Sequence, residues 1–198
     1  MLFKDEIVNT MVVLYEMLRD RGEDENHLVQ LKNISSKELT TISNTKNIVI
    51  DLKECKIPII FDISPKFKWT ELRKSIDEHL KNLDYEVDYI IFVIRAPMNS
   101  GDMNKISDCG HNHQVFSITE LQFNKTKHFL VPKHELITEE EKIERIVSQY
   151  HLKSRNQLPL ILKNDPMCKY LYGKPGNLMK IHRINPTSGI NIVYRTVV

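Results

Sequence analysis

Asp51, Asp62 and Lys53 are the residues whose types and spacing come nearest to a reaction centre. Two carboxylates and a lysine can hold Mg²⁺ and a water beside a scissile phosphate. Such nuclease chemistry needs an acid on one strand and, on the next, a second acid separated by one position from a lysine. Asp62-Ile63-Ser64 lacks the lysine, and Asp51-Leu52-Lys53 lacks a convincing earlier acid. Ordinary charges at strand ends are the simpler reading.

Cys109, His111 and His113 alternate, which on an extended strand would put all three on one face as zinc ligands. A fourth ligand is missing, and Gly110 and Asn112 favour a polar loop, so no metal is expected. Cys55 and Cys168 have no histidine and base nearby in sequence to activate a thiolate. Phe67, Trp69, Tyr170 and Tyr172 offer faces on which bases can stack, but aromatics at this spacing more often fill a core or an interface.

The elements that would carry these residues fall into two patterns. Ile7, Met11, Leu14, Tyr15 and Leu18 mark an amphipathic helix closed by Arg21-Gly22. Residues 23–45 are mixed, with Leu28, Val29, Leu31 and Ile34 suggesting one or two further helices. Two short β-branched runs, 48–52 and 57–63, read as strands, Pro58 favouring an edge or a strand start. Trp69, Leu72, Ile76, Leu80 and Leu83 give a helix, and Tyr89 with residues 90–94 a strand buried on both faces. Residues 95–110 read as a polar loop, and 114–118 as another strand. This is an α/β order.

The second pattern begins at 128. An apolar run halted by Pro132 leads into a helix for which Thr138 is the expected cap, with Glu141 reaching back to it. Ile143, Ile146, Val147 and Tyr150 form its stripe. Asp165 caps a short helix with Pro166 at its first position, and Gly173 and Gly176 end it. Runs at 178–184 and 190–198 flank Asn185-Pro186-Thr187-Ser188-Gly189 and predict a hairpin. The whole is a small α+β unit. The polar bridge Asn124-Lys125-Thr126-Lys127 separates the patterns, giving domains 1–125 and 126–198.

Composition narrows the classes. Of 198 residues, 41% are hydrophobic, enough for a core, and no window approaches the roughly 20 apolar residues of a membrane helix. With three widely spaced cysteines and no secretory leader, a soluble intracellular protein without disulfides is expected. Net charge is +2, with 11 Lys and Arg against 6 Asp and Glu from residue 128 onward. Neither half carries the dense basic face of an autonomous DNA binder.

The string 134–141, Gln157-Leu158-Pro159, Asp165-Pro166 before Lys169-Tyr170-Leu171, Gly176 ahead of Lys180-Ile181, and Tyr194-Arg195 resemble the assembly domain of the fifth common subunit of eukaryotic RNA polymerases and of its archaeal counterpart. The resemblance implies an N-terminal α/β jaw of restriction-nuclease-like topology and a non-catalytic polymerase subunit. Its implied partners are the largest subunit, the omega-like small subunit and downstream duplex DNA, with no membrane. It implies no metal or cofactor on this chain, the catalytic Mg²⁺ belonging to the two large subunits. His134, Gln157, Pro159, Asp165, Pro166, Lys180, Tyr194 and Arg195 become interface candidates. In the loop after the buried strand, Arg95, Asn99, Ser100 and Lys105 become candidates for phosphate contact, with Asp102 opposing.

The pattern is also broken. Pro186, Ile190 and Asn191 stand where the family usually has glutamate, arginine and tyrosine, and Leu160 where an arginine often follows Leu-Pro. Charges at interfaces choose partners, so a changed receiving surface is expected. The drift is similar to versions carried by giant viruses, which implies a cytoplasmic viral factory and the virion; a cellular copy would be nuclear. The alternatives are a Mg²⁺-dependent nuclease, active or degenerate, and a free-standing adaptor.

Overall fold

The computed structural model describes residues 2–32, 47–52, 54–185, 187 and 189–198. Lys53, Ile34, Pro186, Ser188 and any helix over 33–45 therefore lie outside the described residues. Backbone contacts divide the chain into Met1–Phe123 and Asn124–Val198.

In the first unit α1 (Leu2–Asp20) buries Ile7, Met11, Leu14 and Leu18. Its end is closed by Gly22 at φ +101°, whose N–H donates to the Arg19 carbonyl (2.9 Å) while that of Glu23 donates to Leu18 (3.1 Å). This pair of bonds satisfies carbonyls that the helix itself leaves open. A short α2 (Val29–Lys32) follows.

The strands β1 (Asn47–Leu52), β2 (Ile57–Asp62), β3 (Ile90–Ile94) and β4 (His113–Ser117) stand in the order β1-β2-β3-β4. The first pair is antiparallel and the other two are parallel. Parallel neighbours need crossovers, supplied by α3 (Trp69–Lys81) and α4 (Ser100–Ser107). Both helices pack on one face, where Leu72, Ile76 and Ile106 meet Ile60, Ile90, Phe92, Ile94 and Val115. The opposite row, Ile59, Phe61, Ile91 and Val93, is equally buried, as the apolar run of β3 requires of a sheet covered on both faces. Each such side chain contributes about 1.5–3 kcal/mol. Pro58 is at a strand start but in an internal strand: it faces Asp51 of β1, and pairing to β3 begins only at Ile59.

The expected loop over 95–110 is corrected. Eight of its residues form α4, because Asn99 and Asp102 make a capping box, the Asn99 side chain accepting from the Asp102 amide at 2.9 Å. With only Met103 and Ile106 apolar inside the helix, no periodicity announced it, and the caps alone decide.

The second unit holds β5 (Lys133–Ile137), α5 (Glu140–Gln149), β6 (Leu160–Ile161), α6 (Pro166–Tyr170), β7 (Leu178–Asn185) and β8 (Gly189–Val197). Sheet order is β5-β7-β8-β6, with only β6 and β8 parallel. Its core joins Ile161, Cys168, Met179, Ile181 and Val197, with Leu136 and Leu171 against them. Asp165 caps α6 as expected, accepting from Met167 N at 2.9 Å.

Two helix ends differ from expectation. Glu139, not Thr138, occupies the N-cap of α5, without a side-chain cap bond; its carboxylate pairs instead with Lys142 at 2.6 Å. Tyr150 lies past the last helical residue and is exposed. At α6 the stop is Tyr172 at φ +57°, followed by Gly173, whose N–H donates to Cys168 O at 2.9 Å; Gly176 belongs to the approach to β7.

Candidate functional site

The nuclease trio comes apart in the β1–β2 register. Asp51 faces Pro58 and Asp62 faces Asn47, so the two carboxylates sit at opposite ends of the hairpin, four positions or roughly 13 Å apart. Asp62 is buried and accepts from Ser64 N (3.0 Å), while Asp51 accepts from the Tyr85 hydroxyl. No common metal fits both.

Cys109 and His113 do approach, Sγ to Nδ1 at 3.8 Å, but His113 Nδ1 is also 2.9 Å from the His111 carbonyl. Among the described residues no three His, Cys, Asp or Glu are grouped to hold a metal ion. Burial raises the Cys55 thiol to about 12, with Glu23 adding to it, and Cys168 to about 11, so neither is a thiolate nucleophile at neutral pH. Tyr170 is buried, and Phe67 and Trp69 pack against the first core. Tyr172 lies under the Lys174 ammonium at 5.0 Å.

The four DNA-contact candidates are spread along the segment from the end of β3 through α4. Arg95 is exposed, and its N–H donates to the Asp62 carbonyl at 2.9 Å. Asn99 is the cap, Ser100 the first helical residue, and Lys105 pairs with Asp102 at 3.3 Å. Asp102 thus serves the cap and the lysine together.

Four of the interface candidates divide between two faces of the second sheet. His134 faces Ile181 and Arg195 faces Met179, on the side of the core. His134 Nδ1 donates to the Pro132 carbonyl at 2.6 Å, which assigns the tautomer, and burial holds its pKa below the ordinary value. Asp165 opposes that shift, while Arg183 and Arg195 reinforce it. Arg195 Nη1 donates to Leu160 O at 3.0 Å.

Lys180 and Tyr194 are cross-strand partners on the other face. There Glu135 accepts from Lys180 (3.0 Å), pairs with Lys133 (2.7 Å) and stands 3.3 Å from His182 Nε2. Hydrogen bonds from Lys133 and Lys180 hold its carboxyl at about 2. Tyr194 meets Tyr150 edge-on, centroids 5.8 Å apart. Gln157 accepts from Lys153 N at 2.6 Å, exposed Pro159 accepts from Thr196 N at 2.9 Å, and Pro166 opens α6.

Sequence reasoning missed Arg155. Its guanidinium pairs with Glu140 at the start of α5 and donates to Gly176 O at 2.9 Å, and its carbonyl accepts from the buried Thr196 hydroxyl at 2.6 Å. It binds three segments at separations that no local pattern reveals.

The family model described as RNA polymerase Rpb5, C-terminal domain, matches residues 123–197. The DNA-directed RNA polymerases I, II, and III subunit rpabc1 of Dictyostelium discoideum is 33% identical over 146 residues, 72% of this chain and 72% of that protein. The DNA-directed RNA polymerase subunit Rpo5 of Methanocaldococcus jannaschii is 41% identical over 73 residues, 37% of this chain and 91% of its own length. That of Pyrococcus abyssi is 43% identical over 77 residues, 39% and 92% respectively. The archaeal likenesses are about as long as the second unit, and the Dictyostelium one, at 146 residues, must reach into the first. With a capped α6, a four-stranded mixed sheet and a long β7–β8 hairpin within the matched span, the chain belongs to the Rpb5/Rpo5 family, the fifth common subunit of DNA-directed RNA polymerases.

Proposed function

We propose that this chain, a non-catalytic subunit of a multisubunit DNA-directed RNA polymerase, docks by its second unit on the largest subunit beside the omega-like small subunit. Its first unit is then a jaw, of restriction-nuclease-like topology, lying along downstream duplex DNA. The observation that carries this is the likeness to the Dictyostelium subunit across 72% of both chains. The separated Asp51 and Asp62 favour placement over cleavage. Nucleotide addition and its Mg²⁺ belong to the large subunits, and this chain binds no cofactor.

Within the jaw, Arg95, Asn99, Ser100 and Lys105 lie between the end of β3 and the last turn of α4 and are exposed, as contacts to phosphate that position without reading sequence would be. The altered hairpin places, Pro186, Ile190 and Asn191, with Leu160, are read as the mark of a diverged partner set of the giant-virus kind. Such a copy works in a cytoplasmic viral factory and enters the virion; a cellular copy works in the nucleus.

The test is recovery of the affinity-tagged chain from its native cells. Both large polymerase subunits are expected with it, and a lone monomer would overturn the reading. For the jaw, a photocrosslinker at Ser100 should label downstream duplex DNA in an elongating complex. Labelling only of protein would remove the DNA contact.

A further inference from the structure

Beyond the Lys133–His182 pair on one side, and far from the β6 pairing at Thr196 on the other, β7 and β8 run on together as a two-stranded ribbon. A ribbon of this kind is marginal in water unless one face is covered. Its residues alternate strictly. Ile184 pairs with Ile190, and His182 with Ile192, on one face; Arg183 pairs with Asn191 on the other. Ile184 is 85% exposed, Ile190 71% and Ile192 41%. Period-two alternation of isoleucine with polar residues is the pattern of a strand half buried against something, and within the described residues nothing covers it.

We infer that the isoleucine face of this ribbon seats an amphipathic helix of the polymerase's largest subunit, with an apolar stripe and an acidic flank. The inference rests on the docking reading above and names the chemistry of the surface that receives it. Three observations select this occupant. The apolar row continues from Ile190 through Ile192 to Tyr194, where Tyr150 extends it, so it joins the face that holds Lys180 and Tyr194. That row spans roughly 14 Å along the strand, the length of about nine helical residues. Beside it Lys133 and Lys180 share the one carboxylate of Glu135, which leaves the rim with a positive excess that suits acidic side chains.

A second copy of the chain is the poorer fit. The three isoleucines expose on the order of 400 Å². Two such patches face to face would bury about 800 Å², short of the roughly 1,200 Å² of a stable specific interface. The strip is sized as one part of a larger contact.

The experiment compares affinity-tagged wild-type chain with Ile184→Asp/Ile190→Asp and with Arg183→Gln on the opposite face, each recovered from native cells. The circular dichroism and Tm of the purified chains serve as the folding control, and the milder Ile184→Ser/Ile190→Ser replaces the aspartates if these unfold it. Recovery of the two large polymerase subunits should fall at least about tenfold for the isoleucine variant and stay within about twofold for Arg183→Gln. Lys133→Glu should lower it about threefold. Equal recovery for wild type and the isoleucine variant overturns the inference, as does an equal fall for both faces. A wild-type dimer that the isoleucine variant turns into monomers also overturns it, and an unchanged Lys133→Glu removes the acidic flank. Failure of the wild-type chain itself to bring polymerase overturns the docking reading instead.

Discussion

The side-chain amide of Asn124 donates to the hydroxyl of Tyr170 over 3.1 Å, with both residues buried. Asn124 opens the second unit and Tyr170 closes α6, so the bond ties the segment before β5 to the helix. The asparagine Oδ1 also accepts from the amide and hydroxyl of Thr126, at 2.9 and 2.7 Å. Removing either partner takes away a buried hydrogen bond. Asn124→Ala and Tyr170→Phe should each cost about 1–3 kcal/mol in urea unfolding, and the double variant should cost less than the two together.

At Gly173, a Cβ would come within 2.5 Å of the buried Cys168 Sγ and 3.4 Å of Leu136 Cδ1. Gly173→Ala therefore overpacks the second core, and a loss of about 1–3 kcal/mol is expected. Adding Cys168→Ala frees the space, so the double variant should recover much of the loss. Equal Tm for wild type and Gly173→Ala would refute the clash.

How much of this was legible beforehand depended on whether a feature is local. The Asp165-Pro166 cap, the Arg21-Gly22 closure and the buried β3 are written in adjacent residues, and each lies where the pattern put it. The helix α4 was not, because its evidence is a single asparagine–aspartate box in a polar run. Nor was the division of Lys180 and Tyr194 from His134 and Arg195, since which face a strand residue takes follows from register with distant strands. Arg155, Glu140 and Gly176 come together only once the sheet has closed.

Acid should weaken the second unit through Glu135. Its carboxyl, lowered from 4.5 to about 2 by Lys133 and Lys180, stabilises the fold at neutral pH and loses that contribution as pH falls from about 5 toward 2. The group is one-third exposed, so solvent screening limits the effect to about 1 kcal/mol. Denaturation across that range should show wild type converging on Glu135→Gln. A constant gap would contradict the linkage.

Thiol labelling reads the three cysteines apart. Cys109 is half-buried near the surface end of α4, whereas Cys55 and Cys168 are buried with pKa values near 12 and 11. Under native conditions one thiol should react with an aromatic disulfide reagent on the order of 100-fold faster than the other two. Cys109→Ser should abolish the fast phase.

The interior of the second sheet is completed by β8, which is synthesised after every strand it joins. Thr196 and Val197 pair with β6, and Val198 is clasped between Ile161 O at 2.9 Å and Lys163 N at 2.7 Å. While these residues are still inside the ribosomal tunnel, β6 has no partner and the Arg155 carbonyl has no Thr196 hydroxyl to accept. The first unit can close during synthesis, but the second must wait for β8 to emerge, so any assembly of that unit onto a larger enzyme waits for the last strand of the sheet.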